Sequence, residues 1–272
     1  MDPSAIGEVI TAAIGANKAG GGLARVLGPA ADEVAEAIRR WTAFRVGNVA
    51  RIGTIADAKA PGGSGAVPAR VAMRLFEEGS YSDEPVVLEY LGGVLASSRS
   101  EDGSDDRGVS WAALIARLSV DQLRLHYVLY SGARSALLGA HSVGELCDPP
   151  LFVSFVDLLR ALDGPRVMDR FYEAFYGLLG EGLVSERFGF GPAESLAETD
   201  ATTLWPGPGL VYCASRRGIG LFLWGHGKGQ QFLTDLTATD QSFELIDPGV
   251  SIEFDPSGVA LQSSLPKRQE QG

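Results

Sequence analysis

The stretch PPLFVSFVDLLRALDGPRVMDRFYEAFYGLLGEGLVSE, residues 149–186, contains the change from helix to strand that decides the fold. Its apolar residues recur at helical spacing and predict helices at 149–162 and 167–180, separated by the breaker Asp163-Gly164-Pro165. From residue 183 onward the pattern becomes typical of strands. It predicts strands at 183–190, 210–214 and 231–237, and a hairpin of strands 243–246 and 250–254 around Asp247-Pro248-Gly249.

The sequence before this stretch predicts helices throughout, at 29–58, 68–78, 84–97, 110–118 and 119–135. The last begins with Ser119-Val120-Asp121-Gln122, which fits a capping box. A further short helix is predicted from Ser215 to Gly225. The predicted fold class is therefore α+β, mainly α: an N-terminal helical region followed by a small β-rich, winged-helix-like C-terminal region.

Composition and glycine content divide the chain further. Gly20-Gly21-Gly22 separates two short amphipathic pieces near the start. Because glycine weakens a helix, this segment is predicted to be a helix only when a partner holds it in order. Four parts are predicted: a glycine-rich arm at 1–27, a helical domain at 28–147, a helix pair with the β-rich region at 148–258, and a disordered tail at 259–272.

Charge and cysteine content exclude several functional classes. The 272 residues include 23 Lys and Arg against 34 Asp and Glu, a net charge of −11, so general nucleic-acid binding is disfavoured. Two cysteines are too few for a disulfide framework. The sequence shows neither a secretory signal nor an apolar run of 18 residues, which indicates a cytoplasmic protein. Residues 4–28 offer one route to membrane association on activation.

The search for catalytic or metal-binding motifs is negative. His126 lies between core positions of a predicted helix, and the spacing of His141 to Cys147 matches no nucleophile or zinc signature. The run Gly225-His226-Gly227-Lys228-Gly229 lacks the order of a phosphate-binding loop and indicates a helix end with a turn. We therefore expect no catalytic, cofactor-binding or metal-binding residue, no small-molecule substrate, and a protein that is not an enzyme.

Two charged surfaces of opposite sign are the candidate contact regions. Residues 77–106 contain nine acidic residues and a single arginine, whereas residues 39–59 are locally basic. Self-association or a protein partner is expected there. The candidate protein-contact residues are Glu77, Glu78, Asp83, Glu84, Glu89, Arg39, Arg40, Arg45 and Arg51. If the winged-helix-like region binds nucleic acid instead, the candidate residues are Arg166, Arg170, Arg216 and Arg217.

Several segments resemble the Abi-alpha family of bacterial abortive-infection proteins. They are GPAADEV at 28–34 with Arg39 and Arg40, RVGNVARI at 45–52, SYSDE at 80–84 leading to YLGGVLA at 90–96, and 111–119 before the capped helix. The resemblance covers about residues 28–135, with a looser similarity at 210–224, and Tyr90-Leu91-Gly92-Gly93 replaces the family's usual Trp-Ala pair. It implies an anti-phage role through growth arrest or death of the host cell, and it supplies no catalytic residues.

Three functional hypotheses follow from these observations. The first is a non-enzymatic anti-phage defence protein that acts through protein–protein contacts. The second is a winged-helix DNA-binding regulator. The third is a membrane-disrupting effector that uses the N-terminal arm.

Overall fold

The computed structural model describes residues 30–62, 65–162 and 164–267. The fold is α+β and mainly α. The helices are α1 (Ala30–Lys59), α2 (Ala69–Ser80), α3 (Pro85–Ser97), α4 (Gly108–Ile115), α5 (Val120–Ala136), α6 (Val143–Cys147), α7 (Phe155–Leu162), α8 (Val167–Gly180), α9 (Ala193–Thr199) and α10 (Arg216–Gly225). The strands are β1 (Leu151–Ser154), β2 (Val184–Gly191), β3 (Gly209–Ala214) and β4 (Ala260–Leu261).

Hydroxyl side chains fix the beginnings of two central helices, as predicted. At α5 the amide of Gln122 donates to Ser119 Oγ over 3.2 Å, and the amide of Ser119 donates to Gln122 Oε1 over 2.6 Å. This is the reciprocal pair of a capping box. At α10 the amide of Gly218 donates to Ser215 Oγ over 2.9 Å. Each cap contributes about 1 kcal/mol by satisfying an otherwise unpaired backbone donor.

The strands form one antiparallel sheet in the order β2-β3-β1-β4. The predicted strands at 183–190 and 210–214 are confirmed as β2 and β3. The predicted helix at 149–162 is wrong in its first half, because residues 151–154 pair with β3 and only Phe155–Leu162 is helical. The three residues Leu151, Phe152 and Val153 are fully buried between sheet neighbours, which suits a strand of continuous apolar character.

The C-terminal part of the described chain departs furthest from the prediction. The expected strand at 231–237 is a 3-10 helix, Leu233–Thr237. The expected hairpin is wrong, since no residue of the described stretch 238–255 belongs to a strand, although the amide of Val250 does close a turn onto the carbonyl of Asp247. The tail predicted as disordered from 259 includes β4 and the 3-10 helix Gln262–Ser264. The arm at 1–27 and the last five residues lie outside the described residues.

The chain divides into two compact units, residues 1–47 and residues 48–272. In the second unit the larger hydrophobic cluster joins residues from both sides of the boundary predicted at 147/148, including Ile52, Leu88 and Tyr130 before it and Phe171 and Phe222 after it. Helices α3 and α10 cross at two glycines: a Cβ added to Gly93 would lie 1.8 Å from the carbonyl oxygen of Gly225. Only glycine permits this approach of the two backbones.

Candidate functional site

The described part of the first unit exposes a cluster of aromatic and basic side chains, here called the basic–aromatic segment, residues 39–46. Trp41, Phe44 and Val46 are 51%, 43% and 41% exposed, although they are large apolar side chains. Arg45 places its guanidinium carbon 4.7 Å from the centroid of the Trp41 ring, a cation–π geometry. Arg39 and Arg40 are also exposed. Tryptophan and arginine at a solvent-facing position are the residue types enriched in protein–protein contacts.

Four of the five predicted acidic contact residues reach the surface. Glu77 and Asp83 are exposed, and Glu78 and Glu84 are partly exposed. Glu77 and Glu78 also form ion pairs with Arg74, at 3.8 Å and 2.9 Å. These exposed pairs contribute little to stability, because solvent screens them.

The prediction that Glu89 belongs to the contact surface is wrong. Its side chain is 0% exposed and forms an ion pair with Lys59, with 2.7 Å between Nζ and Oε1. Glu89 cannot contact a partner of the folded protein. Acidic residues are usually exposed, which is why the sequence predicts Glu89 at the surface; in the structure, a lysine 30 positions earlier in the chain neutralises the buried charge.

The Lys59–Glu89 pair is saturated with hydrogen bonds. Lys59 Nζ also donates to the carbonyl oxygens of Glu89, over 3.1 Å, and Gly225, over 2.6 Å. Glu89 accepts the amides of Ile246 on Oε1, over 3.0 Å, and of Asp247 on Oε2, over 2.9 Å. Burial lowers the pKa of Lys59, while the attraction of Glu89 opposes that shift. The pair therefore fastens residues 246–247 to α1, α3 and α10.

Arg51 strengthens the same attachment rather than standing alone as a contact residue. Its guanidinium donates to both carboxylate oxygens of Asp247, from Nε over 3.1 Å and from Nη2 over 2.8 Å and 2.7 Å. The Asp247 carboxylate is almost fully buried, whereas the Arg51 side chain remains about two-fifths exposed at 41%. This bidentate pair is the geometry in which arginine binds a carboxylate most strongly.

A second buried polar group links Tyr90, His126 and α10. His126 Nε2 lies 3.0 Å from the carbonyl oxygen of Gly218, so this nitrogen carries the proton and donates it. Nδ1 therefore accepts the hydrogen bond of the Tyr90 hydroxyl, over 2.7 Å. Burial lowers the pKa of His126 to about 3. It also raises the pKa of Tyr90 well above its ordinary range. Both groups are therefore neutral at physiological pH.

The residues predicted to bind nucleic acid are largely occupied by carboxylates. Arg166 pairs with Asp169 at 3.0 Å. Arg170 Nε donates to Asp121 over 2.7 Å. Arg217 lies 3.7 Å from Glu181 and donates to its carbonyl oxygen.

The remaining candidate of that set, Arg216, is exposed. The exposed side of α8 carries Asp169 and Glu173, together with Tyr176. The structure thus places acidic side chains on the helix face where a DNA-reading helix requires donors to phosphate and base edges.

A surface cavity of about 520 Å³ lies between α5 and residues 239–244. Arg134 forms its wall: Nη2 donates to the carbonyl oxygens of Ala238 and Gln241, over 2.9 Å and 3.0 Å, and the guanidinium carbon lies 4.9 Å from the Phe243 ring centroid. Its contacts bind the chain's own backbone, so Arg134 acts here as a second fastener of the irregular segment. The described residues contain no group of three or more His, Cys, Asp or Glu able to hold a metal ion.

Among the described helices, none is long and apolar enough to cross a membrane. The alternative of membrane association through residues 4–28 concerns a segment outside the described residues. Comparison of the chain with known protein families, with curated proteins and with solved structures finds no match. The contacts of individual side chains, together with the local resemblance of residues 28–135 described above, are therefore the basis for the functional proposal.

Proposed function

We propose that this chain is a non-enzymatic bacterial anti-phage defence protein of the abortive-infection type, which acts through protein–protein contacts in the cytoplasm. The observation that carries the contact role is the basic–aromatic segment, where Trp41, Phe44 and Val46 remain 41% to 51% exposed within six residues of helix. Full burial of a large apolar side chain contributes about 1.5–3 kcal/mol, so burying the exposed half of one of these side chains on association contributes about 1 kcal/mol. The resemblance of residues 28–135 to the Abi-alpha family supports the defence role.

The buried titratable groups support a structural rather than catalytic interpretation. Lys59, Glu89 and His126 each have their hydrogen-bonding partners inside the protein. A general acid or base must instead reach the proton of a substrate, directly or through one water molecule. These three groups are positioned to hold α1, α3, α10 and residues 246–247 together.

A phage-challenge assay tests the proposal. The wild-type chain, expressed in a susceptible bacterial host, is expected to reduce plaque formation. The double variant Trp41→Ala/Phe44→Ala is expected to lose this protection, because it removes the apolar contact surface without disturbing a buried core. Met73→Ala/Phe232→Ala is the matched control, since Met73 and Phe232 are 71% and 81% exposed in the other unit. Unchanged plaquing with the wild type, or full protection by the Trp41/Phe44 variant, contradicts the proposal.

A winged-helix DNA-binding regulator is the second candidate, and one observation favours it. Apart from the short helices α6 and α9, the chain order is α5, β1, α7, α8, β2, β3. Together with the sheet order β2-β3-β1, it supports a winged-helix layout in which α8 corresponds to the recognition helix. The acidic residues Asp169 and Glu173 on its exposed side oppose DNA binding. Salt-sensitive binding of duplex DNA at low ionic strength, lost in Arg166→Glu/Arg216→Glu, would establish this candidate instead.

A further inference from the structure

Residues 239–250, here called the strap, are hydrogen-bonded to the rest of the protein through side chains. The strap lies between the 3-10 helices Leu233–Thr237 and Pro256–Gly258, and none of its residues belongs to a helix or a strand. Within the described chain, no backbone hydrogen bond joins the strap to the backbone of another segment. A segment attached in this way can leave its neighbours without breaking a helix or a sheet.

One aromatic and one acidic side chain hold the strap in place. Of its twelve residues, all of which the structure describes, only Phe243 and Asp247 are buried. Helix α5, by comparison, buries nine of its seventeen residues. The Phe243 ring stacks on Phe222 of α10, with 5.4 Å between the ring centroids and 17° between the planes. So few buried side chains are typical of a segment with low local stability.

The attachments of the strap come from several helices but lie close together along the chain. Arg134 of α5 donates to the carbonyl oxygen of Gln241 over 3.0 Å, and Phe243 stacks on α10. Four residues after Phe243, Asp247 is bound by Arg51 of α1. An extended chain of four residues spans about 13 Å, which limits how far one anchor can move while the next stays in place. The anchors are therefore expected to release together.

Beneath the strap lies a histidine with an unused acceptor. His226, at the end of α10, is 2% exposed, and its ring centroid lies 5.7 Å from that of Phe243. Its Nδ1 lies 2.7 Å from the carbonyl oxygen of Phe222, so Nδ1 carries the proton and donates it. Nε2 is then an acceptor, and no described group hydrogen-bonds to it. A buried acceptor without a donor destabilises the closed arrangement, and departure of the strap gives water access to this ring.

We infer that the strap is a releasable cover: residues 239–250 leave α1, α3, α5 and α10 as one unit while these helices stay folded, and Phe222 and His226 become exposed. The uncovered aromatic surface continues the cavity of about 520 Å³ between α5 and residues 239–244. A partner that binds the open form more tightly than the closed form would shift the equilibrium toward the open form. This inference goes beyond the proposed function, because it concerns a conformational switch and holds whether or not the chain acts in phage defence.

Native-state hydrogen exchange of the full chain, measured by NMR at individual amides, tests whether the opening is local. The amides of Ile246 and Asp247 are expected to be protected at least about tenfold less than those of Leu125 and Val128 in α5, with a weaker dependence on urea. Opening the strap exposes little surface, whereas exchange in the middle of α5 requires unfolding. Equal protection with equal urea dependence would overturn the inference, because the strap would then open only when the whole protein unfolds.

The variant Phe243→Ala tests whether the strap opens as one unit. It destabilises the closed protein, so protection should fall in α5. If the strap releases as one unit, protection should also fall at Ile246 and Asp247, by at least about tenfold, although these amides are bound by Glu89 and not by Phe243. Unchanged protection of the two amides would overturn release as one unit. Phe232→Ala, at a side chain 81% exposed outside the strap, is the matched control and should change neither.

Thiol labelling tests whether opening uncovers the surface beneath the strap. Ser131 is 9% exposed and lines the cavity there, so Ser131→Cys, in a chain carrying Cys147→Ser/Cys213→Ser, places a single thiol under the strap. Asp247→Asn weakens the far anchor and should speed the reaction of this thiol with iodoacetamide at least about fivefold. Asp240→Asn, at an exposed position of the strap, is the matched control and should leave the rate unchanged. Equal rates in the two variants would overturn the inference, and circular dichroism checks that each variant is folded.

Discussion

Replacing Glu89 by glutamine should remove a large share of the protein's stability. The substitution keeps the shape of the side chain but eliminates its charge, leaving Lys59 buried without its counterion. It also puts an amide NH₂ where a carboxylate oxygen accepts the amide of Ile246 or Asp247. Removing one partner of a buried ion pair costs about 3–5 kcal/mol. Since domains are stable by only about 5–15 kcal/mol, Glu89→Gln should unfold at a markedly lower urea concentration.

A double-mutant cycle separates the ion pair from the backbone hydrogen bonds. Lys59→Met alone should cost a similar amount, because it leaves the Glu89 carboxylate uncompensated. Lys59→Met/Glu89→Gln should cost no more than about the worse single variant, since neither charge remains buried. The expected coupling is therefore at least about 2 kcal/mol. The exposed pair Arg74–Glu78, at 2.9 Å, is the matched control, and Glu78→Gln should change stability by less than about 1 kcal/mol.

The measurement is urea unfolding followed by tryptophan fluorescence and circular dichroism together. A coupling energy within about 0.5 kcal/mol of zero would refute the argument that the two charges compensate each other. A decrease of less than about 1 kcal/mol in the unfolding free energy of Glu89→Gln would refute it as well, because leaving a buried charge unpaired costs more than that.

Two further predictions concern other buried positions. Because the pKa of His126 is lowered from 6.5 to about 3, the unfolded chain binds a proton in that interval that the folded chain does not. This contribution to stability is complete above pH 6.5 and is lost as the pH falls toward 3, by about 1.4 kcal/mol per pH unit. In His126→Gln, the free energy of unfolding should therefore fall less steeply between pH 6 and pH 4 than in wild type, by that slope. A variant whose free energy of unfolding runs parallel to that of wild type across this range would contradict the prediction. Gly93→Ala should destabilise by about 3 kcal/mol or more, because its Cβ would lie 1.8 Å from the Gly225 carbonyl oxygen. Gly53→Ala, at a helical position where an added Cβ has nothing within 4 Å, should instead stabilise by about 0.5–1 kcal/mol. Thermal unfolding measures both variants, and a Gly93→Ala midpoint at or above that of wild type would refute the close approach of α3 and α10.

Local signals predicted the helices well, because their information lies within a few residues. Ser119 and Gln122 stand three residues apart, and both halves of their capping box form as the spacing indicates. The sequence predicts Leu151–Ser154 as helix, because a short apolar run is equally compatible with a helix and with a buried strand. Its strand partner begins at Gly209, and nothing within residues 149–162 carries that information.

The failed hairpin has a more specific cause. Residues 243–254 are apolar on both sides of a real turn, but their backbone groups bind charged side chains of helices instead of one another. Glu89 takes two amides, and Arg124 donates to the carbonyl oxygen of Ser251 over 3.3 Å. Tertiary contacts therefore replaced the strand ladder. For the candidate site, the sequence located the arginines of α1 but did not separate exposed Glu77 from buried Glu89. Both glutamates lie on helices and pair with a cation, but the partner of Glu77 is three residues away, whereas the lysine that compensates buried Glu89 is 30 residues away.

The attachment of residues 246–247 to Glu89 has a consequence for synthesis of the chain. The two donors lie 157 and 158 positions after the carboxylate that accepts them. While the ribosome is still making the middle of the protein, Glu89 and Lys59 can meet, but the carboxylate still lacks the two backbone amides that donate to it in the folded chain. Completion of the second unit must wait until these late residues emerge, so contacts of this range delay folding. During that interval the nascent chain is at its most vulnerable to proteolysis and to association with other unfinished chains.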